Sequence, residues 1–248
     1  MRFVVLKINR EDSVEHRKPS RLFIAGTDTE VGKTYVTSLL AEYLFNRGHR
    51  VGIYKPVASG CQWIEGRLVA EDAVSLWNAA GRPRTLEQVC PQRFQKPLAP
   101  PQAAEAEGTQ VDKHQLISGL EPWESDSDIL LIEGAGGLFS PIADEMLNID
   151  LAKQFNAELI LIAENRLGAI HQVLSTCEAA KARDCEPRGI FLSHPQERFD
   201  EALKDNAGQI EKYGDIPVLG TVPHQGGTEF VTKIETILDL HGSGMPNK

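Results

Sequence analysis

The sequence has few cysteines, no long apolar runs and little positive charge. Its four cysteines form no CxxC pair and no zinc-like grouping with histidine, so a disulfide framework or zinc knuckle is disfavoured. The apolar runs at residues 129–132 and 159–163 are far shorter than the roughly 20 residues of a transmembrane helix. The apolar run at residues 3–6 is too short for a secretory signal. We therefore expect a cytoplasmic protein with no membrane partner.

Acidic residues outnumber basic ones, with 35 Asp and Glu against 26 Lys and Arg, and the formal net charge is −9. An acidic surface repels the phosphate backbone, so we expect no nucleic-acid partner. Aromatic residues make up only 6% of the chain, but 41% of residues are hydrophobic and 25% are charged. This is ordinary globular composition, and the chain should fold. A length of 248 residues suits one α/β domain or two smaller ones.

Apolar segments alternate with segments of helical periodicity. Strands are predicted at residues 21–26, 51–55, 128–133, 158–163, 189–192 and 216–219. Helices are predicted near residues 32–47, 70–79, 112–120, 149–155, 170–183, 201–213 and 231–240. This alternation favours a single α/β domain with a mostly parallel, doubly wound sheet.

The predicted domain covers residues 21–241. An N-terminal extension at 1–20 precedes it and a tail at 242–248 follows it, and we expect both to be poorly ordered. Prolines interrupt the polar stretch 92–112, which predicts a loop or a broken helix there.

The nonapeptide GTDTEVGKT lies between the first predicted strand and the first predicted helix. In a phosphate-binding loop, backbone N–H groups and a helix N-terminus meet the phosphates, a lysine neutralises their oxygens and a hydroxyl holds Mg²⁺. Lys33 and Thr34 suit these roles. The usual pattern has glycine where Thr27 stands, and here Gly26 comes one residue earlier. A helix-capping loop is the alternative, but strand, loop and helix together favour a P-loop NTPase.

Two further segments place chemical groups at the ends of predicted strands. Lys55 and Ser59 follow the second strand in YKPVASG, where ligands gather in open α/β sheets. The third strand leads to Glu133 and a glycine-rich turn in IEGAGG, a pattern suited to a Mg²⁺ carboxylate and to close approach of phosphate. A solvated lysine and a capping glutamate are the purely structural alternatives.

In this order and spacing, GTDTEVGKT, YKPVASG and IEGAGG resemble the dethiobiotin synthetase family over about residues 21–240. The resemblance implies an ATP- and Mg²⁺-dependent cyclo-ligase of biotin biosynthesis. It would close the ureido ring of dethiobiotin from 7,8-diaminononanoate (7,8-diaminopelargonate) and CO₂ or bicarbonate, giving ADP and phosphate. One amine forms a carbamate, whose oxygen attacks the γ-phosphate, and the second amine then attacks the mixed anhydride and expels phosphate. The resemblance also implies a homodimer.

The resemblance assigns substrate-side roles to residues of this sequence. Lys55 is the residue that the family treats as catalytic, and Lys33 supplies a second positive charge. Thr29 lies at the junction of phosphate and substrate, and Ser59 contacts the substrate. A carbamate attacking a phosphoryl group is an anion meeting an anion, so fixed cations there lower the barrier.

On the nucleotide side, the resemblance assigns Mg²⁺ to Thr34, Glu133 and Asp72. Without the family, Asp72 is equally a first-turn helix residue favoured by the helix dipole. The expected nucleotide contacts are Glu30, Val31, Gly32, Lys33, Thr34, Tyr35, Asp72, Glu133, Gly134, Ala135, Gly136, Ser193, Pro223, His224 and Gln225.

The sequence departs from the family at three places. Ser193 and His194 stand where the family usually has an Asn-Asp pair near the adenine, which leaves base recognition open. His171 stands where an asparagine commonly reaches across the dimer interface. Ala99 and the two prolines after it replace a frequent Ser-Pro-His.

Two other classes remain as alternatives. A cobyrinic-acid amidotransferase-type synthetase domain would normally need a glutamine-hydrolysing domain with a nucleophilic cysteine, and no cysteine here lies in a recognisable nucleophile turn. A partition or scaffolding ATPase would favour a second lysine near the start of the loop and a basic or amphipathic tail. The loop here begins Gly-Thr-Asp, which favours the ligase.

Overall fold

The structure is a computed structural model, and it describes residues 18–197 and 203–238. The strands are β1 Ser20–Gly26, β2 Val51–Tyr54, β3 Val57–Ala58, β4 Gln62–Ile64, β5 Arg67–Val69, β6 Gln92–Arg93, β7 Ile129–Gly137, β8 Pro141–Ala143, β9 Met146–Leu147, β10 Glu158–Glu164, β11 Pro187–Ser193 and β12 Val218–Val222. The α-helices are α1 Lys33–Asn46, α2 Glu71–Ala79, α3 Leu86–Val89, α4 Pro100–Ala106, α5 Lys113–Ser118, α6 Asn148–Gln154, α7 Ala169–Lys181, α8 Asn206–Gly214 and α9 Ile234–Ile237. Short 3₁₀ turns lie at Glu121–Trp123 and Thr228–Phe230.

The core is a six-stranded sheet in the order β12-β11-β10-β1-β7-β2, and every neighbouring pair is parallel. The interior strands are apolar on both faces, as expected when helices cover a parallel sheet on both sides. Phe23 and Ile24 of β1 are fully buried, as are Leu131 and Ile132 of β7. The prediction of a mostly parallel, doubly wound sheet is confirmed.

The six predicted strands are the six strands of this sheet. The largest difference is in β7, which continues through the glycine-rich segment to Gly137 because a register shift lets Gly137 pair with Gly26. The short pairs β3–β6, β4–β5 and β8–β9 were not predicted, since segments of two or three residues carry no usable periodicity.

The proline-rich stretch differs from its prediction. It contains a regular helix, α4, whose first turn holds Pro100 and Pro101. Proline is well accommodated there, because the first N–H groups of a helix have no intrahelical partner. Here the prolines begin a helix.

At the chain ends, β1 already begins at Ser20, within the predicted extension. Residues 1–17 and the predicted tail at 242–248 lie outside the described residues, so the domain boundaries stay predictions. Of the predicted helix at 231–240, the structure has Ile234–Ile237, and residues 239–240 are not described. Within residues 18–197 and 203–238, no helix combines the length and the hydropathy that a bilayer crossing requires.

The four cysteines are free thiols, in agreement with the sequence. Cys61 and Cys90 are buried, whereas Cys177 and Cys185 are half-buried. Burial raises the pKa of all four thiols, so they are poor nucleophiles at neutral pH.

Candidate functional site

The segment between β1 and α1 wraps around the amino end of the helix. Glu30 and Gly32 both have left-handed backbone conformations, with φ of 57° and 86°. A Cβ atom on Gly32 would lie 2.3 Å from the Ser193 hydroxyl oxygen, so only glycine fits there. The Ser193 hydroxyl donates to the carbonyl of Val31 at 2.9 Å. This hydrogen bond holds the loop against the end of β11.

Lys33 extends back across this loop. Its side chain is largely buried, and Nζ lies 3.4 Å from the carbonyl oxygen of Asp28. A Cβ on Gly26 would lie 2.4 Å from the same oxygen and 3.2 Å from Nζ. This close approach explains why residue 26 is a glycine. Burial lowers the pKa of Lys33, and the Glu133 carboxylate opposes that effect.

Lys55, Glu133 and Asp72 form a charged cluster beside the loop. Nζ of Lys55 lies 2.7 Å from Oε1 of Glu133 and 3.1 Å from Oδ2 of Asp72. Burial alone would lower the pKa of Lys55, but the two carboxylates outweigh it and the pKa lies above the ordinary lysine value. Lys55 in turn lowers the pKa of Asp72. Lys55 and Asp72 are therefore charged at neutral pH.

The three predicted metal ligands meet in this cluster. The Thr34 hydroxyl donates to Oε1 of Glu133 at 2.9 Å, while Oε2 of Glu133 is buried without a hydrogen-bond partner. An unpartnered buried carboxylate oxygen is costly unless a cation or water satisfies it. No group of three or more His, Cys, Asp and Glu suited to a metal occurs in the described part of the chain. The oxygen-only set of Thr34, Asp72 and Glu133 fits Mg²⁺, which binds through few protein ligands and completes its shell with phosphate and water.

A cavity of about 630 Å³ opens in front of the loop and the cluster. The predicted site residues that line it are Thr29, Glu30, Gly32, Lys33, Thr34, Tyr35, Lys55, Ser59, Asp72, Gly134, Ala135 and Gly136. The structure thus brings together the residues of all three motifs. Val31, Glu133, Ser193, Pro223, His224 and Gln225 are not part of its lining.

Sequence reasoning missed one wall of this cavity. Pro97, Leu98, Ala99 and Pro100 also line it, together with Ala58. The interruption at residues 92–112 was a signal that this stretch is unusual, but apolar residues in a loop do not reveal what they face. This apolar wall means that the cavity is lined by apolar as well as charged groups.

A second missed residue, Asn148, holds the glycine-rich turn. Its side chain is fully buried, donates to the carbonyls of Ala135, Gly137 and Ser140, and accepts from the N–H of Ala135. A Cβ on Gly134 would lie 2.5 Å from Oδ1 of Asn148, so the turn needs glycine to let Asn148 approach. No sequence motif singled out this asparagine.

The predicted adenine-side residues lie apart from the cavity. Ser193 is buried under the loop, so its hydroxyl contacts the loop and not an open space where a base could lie. Ring Nδ1 of His224 lies 3.0 Å from the Pro195 carbonyl oxygen. The Tyr35 hydroxyl donates to the Gly226 carbonyl, which ties the turn after β12 to α1.

His194 lies beside this turn. Its Nε2 is 3.1 Å from Nδ2 of Asn165, whose Oδ1 accepts from Asn206. Burial lowers the pKa of His194, so the ring is neutral at neutral pH and accepts at Nε2. His171 is exposed on α7, and its predicted contact with a second subunit stays a prediction.

The fold and the site together define a class of protein. The first strand of the parallel sheet ends in a loop, and this loop places Lys33 and Thr34 at the N-terminus of a helix. Glu133 lies on the adjacent strand. This is the arrangement of a P-loop NTPase. A family model described as an AAA domain matches residues 20–231. The solved structure of the MinC:MinD cell division protein complex of Aquifex aeolicus is similar in fold, with a TM-score of 0.50 at 13% identity over 92% of this chain and 98% of that one.

Curated relatives narrow this class to one family. The ATP-dependent dethiobiotin synthetase BioD of Rhodopirellula baltica is 45% identical over 219 residues, covering 84% of this chain and 86% of the relative. The enzymes of the same name from Aromatoleum aromaticum and Bacillus cereus are 34% and 36% identical, covering 86% and 88% of this chain and 94% and 88% of the relatives. The chain belongs to the dethiobiotin synthetase family.

Proposed function

We propose that this protein is an ATP-dependent cyclo-ligase that forms dethiobiotin from 7,8-diaminononanoate and CO₂, giving ADP and phosphate. The observation that carries the proposal is the convergence of Lys33, Lys55 and Ser59 on one cavity with a phosphate loop at one side. A family resemblance alone would not require the lysine of the second motif to lie beside the loop. The chemistry of carbamate phosphorylation does require this position, because a cation is needed where the carbamate meets the γ-phosphate.

The loop would bind the triphosphate of ATP. Backbone N–H groups at the start of α1 and the Lys33 ammonium would face the β- and γ-phosphates, where negative charge is concentrated. Because Lys33 is already held across the loop by Asp28, little side-chain freedom is lost when phosphate binds. We assign Lys33 to nucleotide binding and to stabilisation of the transferring phosphoryl group.

The other end of the cavity would take the diamine. The Ser59 hydroxyl and Thr29 are polar groups on its lining, and the apolar wall of Pro97, Leu98 and Ala99 lies nearby. 7,8-Diaminononanoate carries two amines near one end of an alkyl chain and a carboxylate at the other, so its amine end needs polar groups and the adjoining chain needs apolar surface. Both kinds of surface line this cavity.

Lys55 would act where the two substrates meet. The carbamate oxygen forms a bond to the γ-phosphorus while the bond to the β-phosphate oxygen breaks, releasing ADP. The second amine then attacks the carbamate carbon, and the bond to phosphate breaks. In the first step, an anionic carbamate oxygen must approach an anionic phosphoryl group, and a fixed ammonium that offsets their repulsion lowers that barrier more than it improves ground-state binding.

We include Mg²⁺ in this proposal, with Thr34, Asp72 and Glu133 as the residues that would hold it. The bound ion would neutralise charge on the phosphates and orient them for in-line transfer. The buried, unpartnered oxygen of Glu133 supports this assignment. A homodimer and a cytoplasmic location belong to the same proposal, and the family resemblance supports them.

The experiment measures dethiobiotin by mass spectrometry after incubation with ATP, Mg²⁺, bicarbonate and 7,8-diaminononanoate. Lys55→Gln should lower kcat steeply and change the equilibrium affinity for ATP less, since the loop carries that affinity. Lys113→Gln, at an exposed lysine of α5, is the matched control and should behave as wild type. ATP turnover that ignores the diamine but responds to DNA or lipid would contradict the ligase and favour a partition-type ATPase.

A further inference from the structure

The ammonium group of Lys55 fills the space between two carboxylates. Its Nζ is within ion-pair distance of both Glu133 and Asp72, and the side chain of Glu133 is 0% exposed. Thr34 donates to the same Glu133 oxygen that Lys55 contacts. Lys55 and Thr34 therefore occupy the Oε1 side of the Glu133 carboxylate, whereas its buried Oε2 has no hydrogen-bond partner.

The same carboxylates are the proposed Mg²⁺ ligands. Magnesium binds oxygen at about 2.0–2.1 Å and demands near-octahedral geometry, so an ion that bridges Glu133 and Asp72 needs the space that the Lys55 ammonium fills between them. A metal ion and an ammonium group held by the same pair of carboxylates would also repel each other strongly in a buried site. Metal and Lys55 must therefore occupy this position in turn.

We propose that Lys55 and the metal exchange places: a divalent cation enters between Glu133 and Asp72 only as the Lys55 ammonium leaves. The released ammonium moves into the adjacent cavity, whose lining already includes Lys55. This inference rests on the proposed function, and it adds that metal binding delivers the catalytic cation to the substrate.

Charge balance gives the exchange its order. Two lysines, Lys33 and Lys55, face two carboxylates, Glu133 and Asp72, and the four charges cancel. Replacing the ammonium between the carboxylates by a divalent cation leaves the site with excess positive charge. A polyphosphate and a carbamate anion supply the missing negative charge, so the exchange is favourable when nucleotide and substrate bind.

The test measures Mn²⁺ affinity, with free Mn²⁺ followed by electron paramagnetic resonance, for the full chain without nucleotide. Lys55→Gln removes the competing cation, and its Mn²⁺ affinity should exceed that of wild type by about tenfold or more, within the usual range of coupling between sites. Lys33→Gln is the matched control, because it removes an equal charge that contacts neither carboxylate. Its affinity should rise by less than that of Lys55→Gln, because Lys33 forms no ion pair with either carboxylate. Equal affinities in wild type and Lys55→Gln, or equal gains in the two variants, would overturn the exchange.

A measurement on the wild type covers the case in which Lys55→Gln does not fold. The ¹⁵N resonance of the Lys55 ammonium is assigned by comparison with Lys55→Arg. The two ion pairs should protect the hydrogens of this ammonium from exchange with solvent. Saturating concentrations of Mg²⁺ and a non-hydrolysable ATP analogue should shift that resonance. They should also remove the protection from exchange, because the ion pairs with the two carboxylates are broken. An unchanged resonance at saturation would refute the exchange even if the variant is unusable.

Separate measurements test the exchange and the proposed function, so that the failure of one can be distinguished from the failure of the other. Dethiobiotin formation by the wild type tests the function alone. Normal formation with equal Mn²⁺ affinities rejects the exchange and leaves the ligase in place. Absence of formation under saturating substrates rejects the ligase whatever the Mn²⁺ affinities are.

Discussion

Asn148→Ala should destabilise the protein more than an ordinary polar substitution. Four contacts of 2.7–3.1 Å join this buried side chain to Ala135, Gly137 and Ser140. The amide has only two N–H groups for three carbonyls, so its donations count as about two hydrogen bonds, and the accepted bond from Ala135 is a third. At about 1 kcal/mol each, the expected loss is about 3 kcal/mol. For a chain of this length, that corresponds to a fall in Tm of about 6–12 °C.

The assay is urea unfolding followed by circular dichroism. The matched control is Asn46→Ala, at an exposed asparagine that ends α1, which should stay within about 0.5 kcal/mol of wild type. Asn148→Asp keeps the size but replaces two donors by a carboxylate that faces three carbonyls, so it should cost at least as much as alanine. A loss below 1 kcal/mol for Asn148→Ala, or one equal to the control, would refute the reasoning.

Three further predictions concern the site. Lys33→Ala should nearly abolish turnover, because it removes a charge that interacts most strongly with the transition state; retention of a third or more of wild-type kcat would contradict the loop assignment. Glu133→Gln and Asp72→Asn should each raise the Mg²⁺ concentration for half-maximal rate, since a neutral amide replaces an anionic ligand; unchanged dependence in both would reject the metal site. The Ser193 hydroxyl is engaged by the loop, so kcat/KM for ATP and for at least one other triphosphate should agree within about a hundredfold, and a stronger ATP preference would assign base reading to other groups.

The sequence predicted those features that depend on short segments. Each strand of the main sheet is an apolar run, and the loop with Lys33 is a contiguous motif, so both could be found without the fold. The meeting of Lys55 and Glu133 was also predictable in outline, because the strands before them are parallel and their carboxyl ends share one edge. The structure adds that β2 and β7 are direct neighbours.

The features that were not predicted depend on contacts between distant segments. Asn148 supports a turn whose residues lie up to 13 positions earlier in the chain, and the hydroxyl of Ser193 meets a loop 162 positions away. A polar side chain carries no sequence signal of which backbone group it will reach. The apolar wall at Pro97 is of the same kind, since only the fold determines which cavity a loop faces.

The strand order of the sheet also has a consequence for biosynthesis. Strand β1 is made early, yet its partners in the sheet begin at Ile129 and Glu158. At about 5–20 residues per second, the ribosome needs on the order of ten seconds to complete both partners after β1 has been made. During that interval both edges of an apolar strand lack their partners, which favours aggregation or chaperone binding. Nucleotide in the cell can stabilise the nascent chain only after β10 has emerged, so its protective effect begins late in translation.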